Sequence, residues 1–535
     1  MKILELSLPN YKNLRGFAIK FDSRSSTAVL VGKNGVGKSN LIEAIVRIFR
    51  DLDAGPGRSR TDFPYAIEYS IRGRTVRITH DPAAVRSHTT VWIDGQKATL
   101  RTLTAHPSRS LLPDTVFAYY SGPSNRLESI FDAPLAEFRD AMIRQDASAR
   151  QRLIYGRLIH SQFVLLSFLA ERSIDDFPFL QRELGIEAVE SVLFVMKQPY
   201  WASRKQGPAR KSEFWGAAGV VRNFLSKLYD SALAPLLLEQ RTPFGIRQTK
   251  TLEHLYLFLS TQEALAGFAE RLSSGGSAPR ARELFTTLES AFVSDLISDV
   301  RVQLRKRNVD GTVTFAELSE GEQQLLMVLG LLRFTKEEES LFLLDEPDTH
   351  LNPAWSLRFL DLIEEAVGDR GESQLLMASH DPVAISLLRK EQVRQLAVGE
   401  DGRIAAFQPD EDPVRLGVGG VLLSELFGFR SVLAPEMTKL LERRDRLRLN
   451  RGRLSEAELL ELAELEESLR QVDFSALHPD PLYARFLREV MSQEDAELAA
   501  SPVLSREEVL DQKRLTEQVV REIRAEEEAG DLDLP

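Results

Sequence analysis

The sequence contains no cysteine, and this absence excludes several kinds of chemistry. Without thiols the chain cannot form disulfides, thiolate metal sites or cysteine nucleophiles. It also has no apolar run close to the roughly 18 residues that a membrane span needs. The N-terminal stretch MKILELSLPNYKNL lacks the long apolar segment of a secretory signal. We therefore expect a cytoplasmic protein that does not associate with membranes.

Acidic residues outnumber basic residues in this sequence. The 535 residues include 68 Lys and Arg against 79 Asp and Glu, a net charge of −11, so a uniformly basic nucleic-acid surface is excluded and any DNA contact must be local. Two local candidates exist, although a solvated edge strand and an exposed loop explain them equally well. They are Arg301, Arg305 and Arg307 in VRVQLRKR, and Arg204, Lys205, Arg210 and Lys211 in SRKQGPARKSEF.

The pattern of apolar residues divides the chain into four segments. Residues 1–124 contain strand patterns ending in TAVLV, followed by hairpins that turn at Arg72-Gly73 and Asp94-Gly95. Residues 125–298 carry amphipathic pieces interrupted by prolines, which indicates a compact, mostly helical insertion and not a coiled coil. In residues 299–430, VRVQLRKR and TVTF form a predicted hairpin that turns at Asp310-Gly311. The strands of LFLLDEP, QLLMASHDP and VRQLAV then alternate with helices, as in a parallel sheet.

The last segment, 431–535, is predicted to be helical and to bind a partner. An arginine-rich helix precedes a glutamate-rich one that opens with a capping box at Ser455 and Glu458, so the two should pair through opposite charges. The predicted fold class is thus α/β. It consists of a mainly parallel sheet with a phosphate loop and an antiparallel β subdomain, split by a helical insertion and followed by a helical tail.

GKNGVGKS fits the phosphate-loop template and stands between a predicted strand and a predicted helix. Its glycines let backbone N–H groups turn onto the β-phosphate, while Lys38 reaches the β- and γ-phosphates and Ser39 ligates Mg²⁺. A glycine-rich turn with an incidental lysine is the alternative. The predicted nucleotide-binding residues here are Gly32, Lys33, Asn34, Gly35, Val36, Gly37, Lys38, Ser39 and Asn40.

Two strand ends carry candidate catalytic groups. In LFLLDEP, Asp345 can hold Mg²⁺ with Ser39, and Glu346 can orient and deprotonate a water. In QLLMASHDP, His380 can hold the γ-phosphate. Strand-end carboxylates and loop histidines are common in isolation, but their order after a phosphate loop favours a catalytic set of Lys38, Glu346 and His380.

A second anion site is predicted far downstream, at LSEGEQQLLMVLGLL. Ser319 and Glu322 have the spacing of a capping box, and a helix N-terminus attracts anions. Taken alone, this motif is better explained by an ordinary capped helix.

GKNGVGKS, LSEGEQ, LFLLDEP, DTHLNP and SHD, in this order, resemble the ABC-type ATPase heads. The resemblance implies that LSEGEQ is the signature motif, whose helix start caps the γ-phosphate of an ATP held by a second subunit. Ser319, Glu320, Gly321 and Glu322 would then complete the site that Lys38 begins. It therefore implies ATP and Mg²⁺ as cofactors and a homodimer or higher homo-oligomer with composite sites.

Asn40 after the loop serine, the opening LELSLPNYKNLRGFAIKF and the large insertion are similar to the RecF and SMC-like branch, which serves DNA maintenance. DEPDTHLNP, YYSGPSNR and HPDPLYARFLREV resemble bacterial anti-phage defence ATPases of the PtuA (Septu) and retron-associated kind. Such relatives act with a separately encoded effector, here expected to be an HNH-type nuclease, and DNA is a further candidate partner. The glutamine that the family carries after the TVFAYY strand is missing, and Ser121 or Asn125 is expected to replace it.

Three alternatives stay open: a DNA repair or recombination ATPase, the ATPase subunit of a transporter, and an ATPase with a built-in nuclease. Asn40, the insertion and the N-terminal strand pattern oppose the transporter. The residues after His380 show neither an acidic triad for two metals nor an HNH centre. We therefore expect an ATPase whose associated nuclease activity belongs to a partner.

Overall fold

The computed structural model describes most of the chain. The described residues exclude 56–60, 85–87, 105–109, 144–150, 171–177, 203–212, 244–248, 274–279, 308, 337–338, 368–372, 400, 430, 450–453, 471–505, 507–508, 511–512, 515, 519 and 522–535. The basic loop with Arg204 and Arg210 and the stretch HPDPLYARFLREV therefore lie outside the described residues. Within the described part, no helix has the length and hydropathy needed to cross a bilayer.

The chain begins with an antiparallel sheet in which alternate side chains are buried, as expected of strands with one covered face. Both predicted hairpin turns are confirmed, because Arg72-Gly73 and Asp94-Gly95 adopt positive φ of 49° and 70°, and of 49° and 77°. In the order β2-β1-β4-β5-β6-β7, this sheet consists of β1 (Lys2–Tyr11), β2 (Leu14–Lys20), β4 (Tyr65–Ile71), β5 (Arg74–His80), β6 (Thr89–Ile93) and β7 (Gln96–Ala98).

The second sheet contains parallel strands. Its strands, in the order β3-β16-β15-β8-β9, are β3 (Thr27–Val31), β8 (Thr115–Tyr120), β9 (Leu153–Tyr155), β15 (Ser340–Asp345) and β16 (Gln374–Ala378). Every residue of β3, β15 and β16 is buried, which explains their uninterrupted apolar runs. Asp345 lies opposite Ala378 on one side and Tyr120 on the other. The segments that follow these three strands therefore begin at the same edge of the sheet.

A third sheet has the order β11-β12-β10-β13-β14, and only its β13-β14 hairpin was predicted. Its strands are β10 (Ile186–Lys197), β11 (Leu233–Pro243), β12 (Thr249–Leu259), β13 (Ile297–Lys306) and β14 (Val313–Thr314). The segment 125–298 thus contains three long strands besides its helices. Its predicted boundary at 298 falls inside β13. The hairpin predicted at Asp310-Gly311 is confirmed, because β13 and β14 pair antiparallel.

The basic face of β13 is neutralised by neighbouring acids. Arg301 lies 2.8 Å from Asp299, Arg305 lies 3.2 Å from Glu190, and Arg307, just beyond the strand, lies 3.6 Å from Glu187. The strand is also not an edge strand, because it pairs with β10 and with β14.

The helices cover the sheets and include two that begin at functional motifs, α1 (Lys38–Ala54) and α9 (Glu320–Thr335). The others are α2 (Leu100–Thr104), α3 (Asp132–Ile143), α4 (Ile159–Leu169), α5 (Pro178–Glu183), α6 (Gly219–Ser231), α7 (Gln262–Leu272), α8 (Arg280–Val293), α10 (Pro353–Ser356), α11 (Phe359–Val367), α12 (Pro382–Ile385), α13 (Pro413–Leu423), α14 (Pro435–Leu449) and α15 (Glu456–Arg470).

The chain divides into two compact units, 1–30 with 37–384, and 31–36 with 385–535. The predicted lobe 299–430 contributes to both. The smaller unit contains the antiparallel strands β17 (Val393–Val398) and β18 (Ile404–Phe407) and the helices α13 to α15. The predicted opposite charges of α14 and α15 do meet, with Arg443 2.8 Å from Glu461 and Arg448 2.7 Å from Glu466.

Close packing of α9 on α4 depends on Gly330. A Cβ at this position would lie 2.0 Å from Cγ1 of Val164, in a fully buried contact. Gly330→Ala is therefore expected to lower the free energy of unfolding by about 1–3 kcal/mol through overpacking. Gly267→Ala in α7 is the matched control, because a Cβ there meets nothing within 4 Å. In the control, the free energy of unfolding should rise by about 0.4–1 kcal/mol, because alanine reduces the conformational entropy of the unfolded chain. Thermal melting of both variants checks this, and equal midpoints would contradict it.

Candidate functional site

The first turn of α1 places Lys38 inside the larger unit. Gly37 precedes it with φ 90°, and a Cβ there would approach Leu14 to 2.8 Å and Asn13 to 3.0 Å, so glycine is needed at this position. Lys38 is buried, and burial lowers the pKa of its amine, while the carboxylates of Glu346 and Asp345 act in the opposite direction. The lysine is thus held near Glu346, the predicted base, and Asp345, the predicted Mg²⁺ ligand.

The five residues before Gly37 form a turn that requires glycine. Gly32 has φ 151°, and a Cβ there would lie 2.4 Å from the carbonyl oxygen of Leu396. Gly35 has φ 85° in open surroundings. Lys33, Asn34 and Gly35 are exposed, whereas Val36 is buried. The turn therefore presents its tip to solvent, as a loop must if it is to admit a phosphate.

Asp345, the last residue of β15, has the properties of a metal ligand. It is almost fully buried and accepts a hydrogen bond from the Ser39 hydroxyl, while its Oδ1 has no hydrogen-bond partner. Burial raises the pKa of Asp345 to about 6, against the opposing influence of Ser39, Arg126 and Lys38. A buried carboxylate oxygen left unsatisfied beside a hydroxyl is an oxygen donor set that fits Mg²⁺.

Glu346 follows in a left-handed conformation, with φ 55°. Its backbone N–H donates to the carbonyl oxygen of Ala378 at 2.9 Å, which holds the residue at the sheet edge despite the strain. One carboxylate oxygen lies 3.5 Å from Nδ1 of His380, and both side chains are partly exposed. A base at the end of a strand, in contact with an imidazole and open to solvent, can orient and deprotonate a water molecule.

Arg126 was missed by the sequence analysis. Its guanidinium lies 3.9 Å from Oδ2 of Asp345, donates to Oδ1 of Asn40 at 3.3 Å, and packs over the ring of Tyr120. Ser121, one of the residues expected to replace the family's glutamine, has its hydroxyl 3.2 Å from that of Thr349. Arg126 belongs to the stretch YYSGPSNR, but no periodicity or spacing distinguishes it from the other arginines of the chain.

The predicted capping box at the start of α9 is present. The backbone N–H of Ser319 donates to the Glu322 carboxylate at 2.8 Å, and that of Glu322 donates to the Ser319 hydroxyl at 3.3 Å. Ser319 and Glu320 are exposed, so this helix start faces solvent. Lys306 lies 2.6 Å from Glu322, on the side of β13.

Two contacts join α9 to the loop after Glu346. A Cβ at Gly321 would lie 2.5 Å from the carbonyl oxygen of His350, so the two backbones are in close contact. The side-chain amide of Gln324 donates to the carbonyl oxygen of Pro347 at 2.7 Å. Further along this loop, Asn352 caps α10 by accepting from the N–H of Trp355 at 2.9 Å.

The structure thus arranges the predicted site residues in two groups within the larger unit. Lys38, Ser39, Asp345, Glu346 and His380 meet at the carboxyl edge of the parallel sheet. The contacts described for Ser319–Glu322 run instead to Lys306 and to the loop containing His350.

Two family models match parts of this chain. Residues 1–81 match the model described as "AAA ATPase domain", and residues 170–386 match "AAA domain, putative AbiEii toxin, Type IV TA system". These ranges include Lys38, Ser39, the start of α9, Asp345, Glu346 and His380. Both models thus describe ATPase domains, and their matches lie on either side of residues 82–169.

The chain is also similar to individual proteins over part or most of its length. It is 42% identical over 67 residues to the "Thiamine import ATP-binding protein ThiQ" of Ruegeria sp. (strain TM1040), a match that spans 12% of this chain and 27% of that protein. An SMC head bound to the C-winged helix domain of ScpA is similar at 15% identity, covering 76% of this chain and 98% of that one, with a TM-score of 0.34. The SMC head domain from Thermotoga maritima is similar at 13% identity, with 76% and 99% covered and a TM-score of 0.31.

Proposed function

We propose that this chain binds and hydrolyses ATP as an ABC-type ATPase of the RecF and SMC-like branch. The observation that carries the proposal is the cluster at the sheet edge, where Lys38, the unsatisfied Asp345 and the Glu346–His380 pair meet. The AAA-type family matches support the same activity.

In this proposal Ser39 and Asp345 would hold Mg²⁺, which neutralises charge on the β- and γ-phosphates when bound. Lys38 binds the β- and γ-phosphates, and Glu346 orients a water and accepts its proton. His380 holds Glu346 in place and donates to the γ-phosphate. The phosphate-loop sequence GKNGVGKS implies that backbone N–H groups also bind phosphate.

We further propose that two copies close head to head, each completing the nucleotide site of the other. The exposed start of α9 supports this, because the dipole of a helix favours an anion at its N-terminus and Ser319 and Glu320 are open to solvent. Ser319, Glu320, Gly321 and Glu322 would approach the γ-phosphate held by Lys38 of the second copy.

Ser319→Arg tests the composite site. The longer, cationic side chain should block closure of the two copies while leaving ATP binding by the isolated chain within about twofold, because Ser319 is outside the Lys38 cluster. In the wild type, ATP turnover per chain should rise with protein concentration as two copies associate. In Ser319→Arg, turnover should stay at the level of the single chain. The matched control is Ser455→Arg, which removes a capping box of the same type, at Ser455 and Glu458 of α15. Normal turnover in Ser319→Arg would contradict a composite site.

The biological role that we propose is control of a separately encoded effector nuclease in anti-phage defence. The stretches DEPDTHLNP and YYSGPSNR support it, as does the family model whose description names a putative AbiEii toxin. The C-terminal region 431–535 is the proposed effector surface. Phage plating on cells that carry the gene with its neighbours tests this role. Protection should need both the adjacent nuclease gene and an intact Glu346, and protection by the chain alone would overturn the need for a partner.

A further inference from the structure

The strand β11 is rich in leucine although it lies at the edge of a sheet. It is the outermost strand of the third sheet and pairs only with β12 among the described strands. Three consecutive leucines in it are exposed, Leu236 by 51%, Leu237 by 56% and Leu238 by 43%. Because successive residues of a strand point to opposite faces, both faces of this strand are apolar and open to solvent.

Edge strands are normally protected from pairing by charges, prolines or bulges. Here Pro235 and the positive φ of Ala234 interrupt the ladder only at the start of the strand. Leu236, Leu237 and Leu238 carry no such protection. A strand that is apolar on both faces matches a partner strand that is also apolar on both faces.

We propose that β11 of one chain pairs antiparallel with β11 of a second copy, about a two-fold axis at Leu237. This register places Leu237 opposite its own copy and Leu236 opposite Leu238. Glu239 then faces Pro235, and Arg241 faces Leu233, so no two like charges are opposed. An axis at Gln240 would pair Glu239 with Arg241 but would place Leu237 opposite Pro243, so the apolar match favours Leu237.

The pairing is separate from head closure and requires no nucleotide, because β11 lies outside both residue groups of the ATP site. Each interface alone is isologous and gives a closed dimer. A chain that has two different isologous interfaces can join more than two copies. The strand interface therefore goes beyond the proposed function and predicts assemblies larger than a pair when ATP is added.

A cysteine scan tests the register, and the chain contains no cysteine of its own. Leu237→Cys should form an interchain disulfide with its own copy under mild oxidation without nucleotide, since side chains at this position face each other. Leu233→Cys is the matched control on the same strand. It is 63% exposed but lies opposite Arg241, far from its own copy in the proposed register. Equal crosslinking of the two variants, or none at Leu237→Cys, would overturn the proposal.

The mass in solution gives an independent readout. Leu237→Lys places two like charges opposite each other at the two-fold axis. Light scattering without nucleotide should therefore show the mass of two chains for the wild type and the mass of one chain for Leu237→Lys. Leu460→Lys, at an exposed leucine of α15, is the control and should leave the mass unchanged. ATP binding by Leu237→Lys should be retained, which shows that the chain is folded and separates this outcome from failure of the proposed function. An unchanged mass in Leu237→Lys would contradict the interface.

Discussion

Glu346→Gln is expected to bind ATP with normal affinity and to hydrolyse it about 10²–10⁴-fold more slowly, because an amide cannot accept the proton of the attacking water. The substitution keeps the shape of the side chain and the backbone hydrogen bond to Ala378 that holds the residue at positive φ. It removes only the charge next to His380. Phosphate release by the purified protein measures the effect.

The same variant should accumulate the closed pair of heads, because hydrolysis is the step that would reopen it. Size-exclusion chromatography with ATP should therefore show a larger species for Glu346→Gln than for the wild type. Glu364→Gln, at an exposed acid of α11, is the control and should hydrolyse ATP normally. Undiminished hydrolysis by Glu346→Gln would refute the assigned base.

Lys38→Ala should weaken ATP binding itself, by about 10²-fold or more, as expected when one partner of a desolvated charge pair is removed. The amine is buried and faces the carboxylates of Glu346 and Asp345. Without it, these acids would repel the triphosphate. The pKa of Asp345, already raised to about 6 by burial, should rise further because Lys38 opposes that shift.

Calorimetric titration with ATP and Mg²⁺ measures this loss. The matched control is Lys33→Ala, which removes an exposed lysine from the same sequence motif and should cost far less affinity, since the motif binds phosphate there through its backbone. In the double variant Lys38→Ala with Glu346→Gln, the closed pair should not form. Equal affinities for Lys38→Ala and Lys33→Ala would contradict the role assigned to Lys38.

Much of the site was predictable because its residues stand at the ends of strongly patterned elements. The buried runs TAVLV, LFLLD and QLLMA could only be strands of a covered sheet, and parallel strands bring their carboxyl ends to one edge. The capping boxes at Ser319 and Ser455 were also predictable, because the two partners of each box lie three residues apart in the sequence.

Other features were not predictable for physical reasons. The strand β11 lacks polar-apolar alternation because neither of its faces is covered, so its leucines give no period of two. Arg126 reaches Asp345 through a tertiary contact between residues more than two hundred positions apart, and no local pattern encodes such a contact.

The attachment of α9 to the loop after Glu346 has a mechanical consequence. Gln324 bonds to the carbonyl oxygen of Pro347, and Gly321 touches the backbone at His350, so the base and the helix start move together. In the proposed pair of heads, the helix start of one copy touches the nucleotide bound by the other. Loss of phosphate from one site would therefore weaken the contact between that copy's helix start and the nucleotide bound by the other copy.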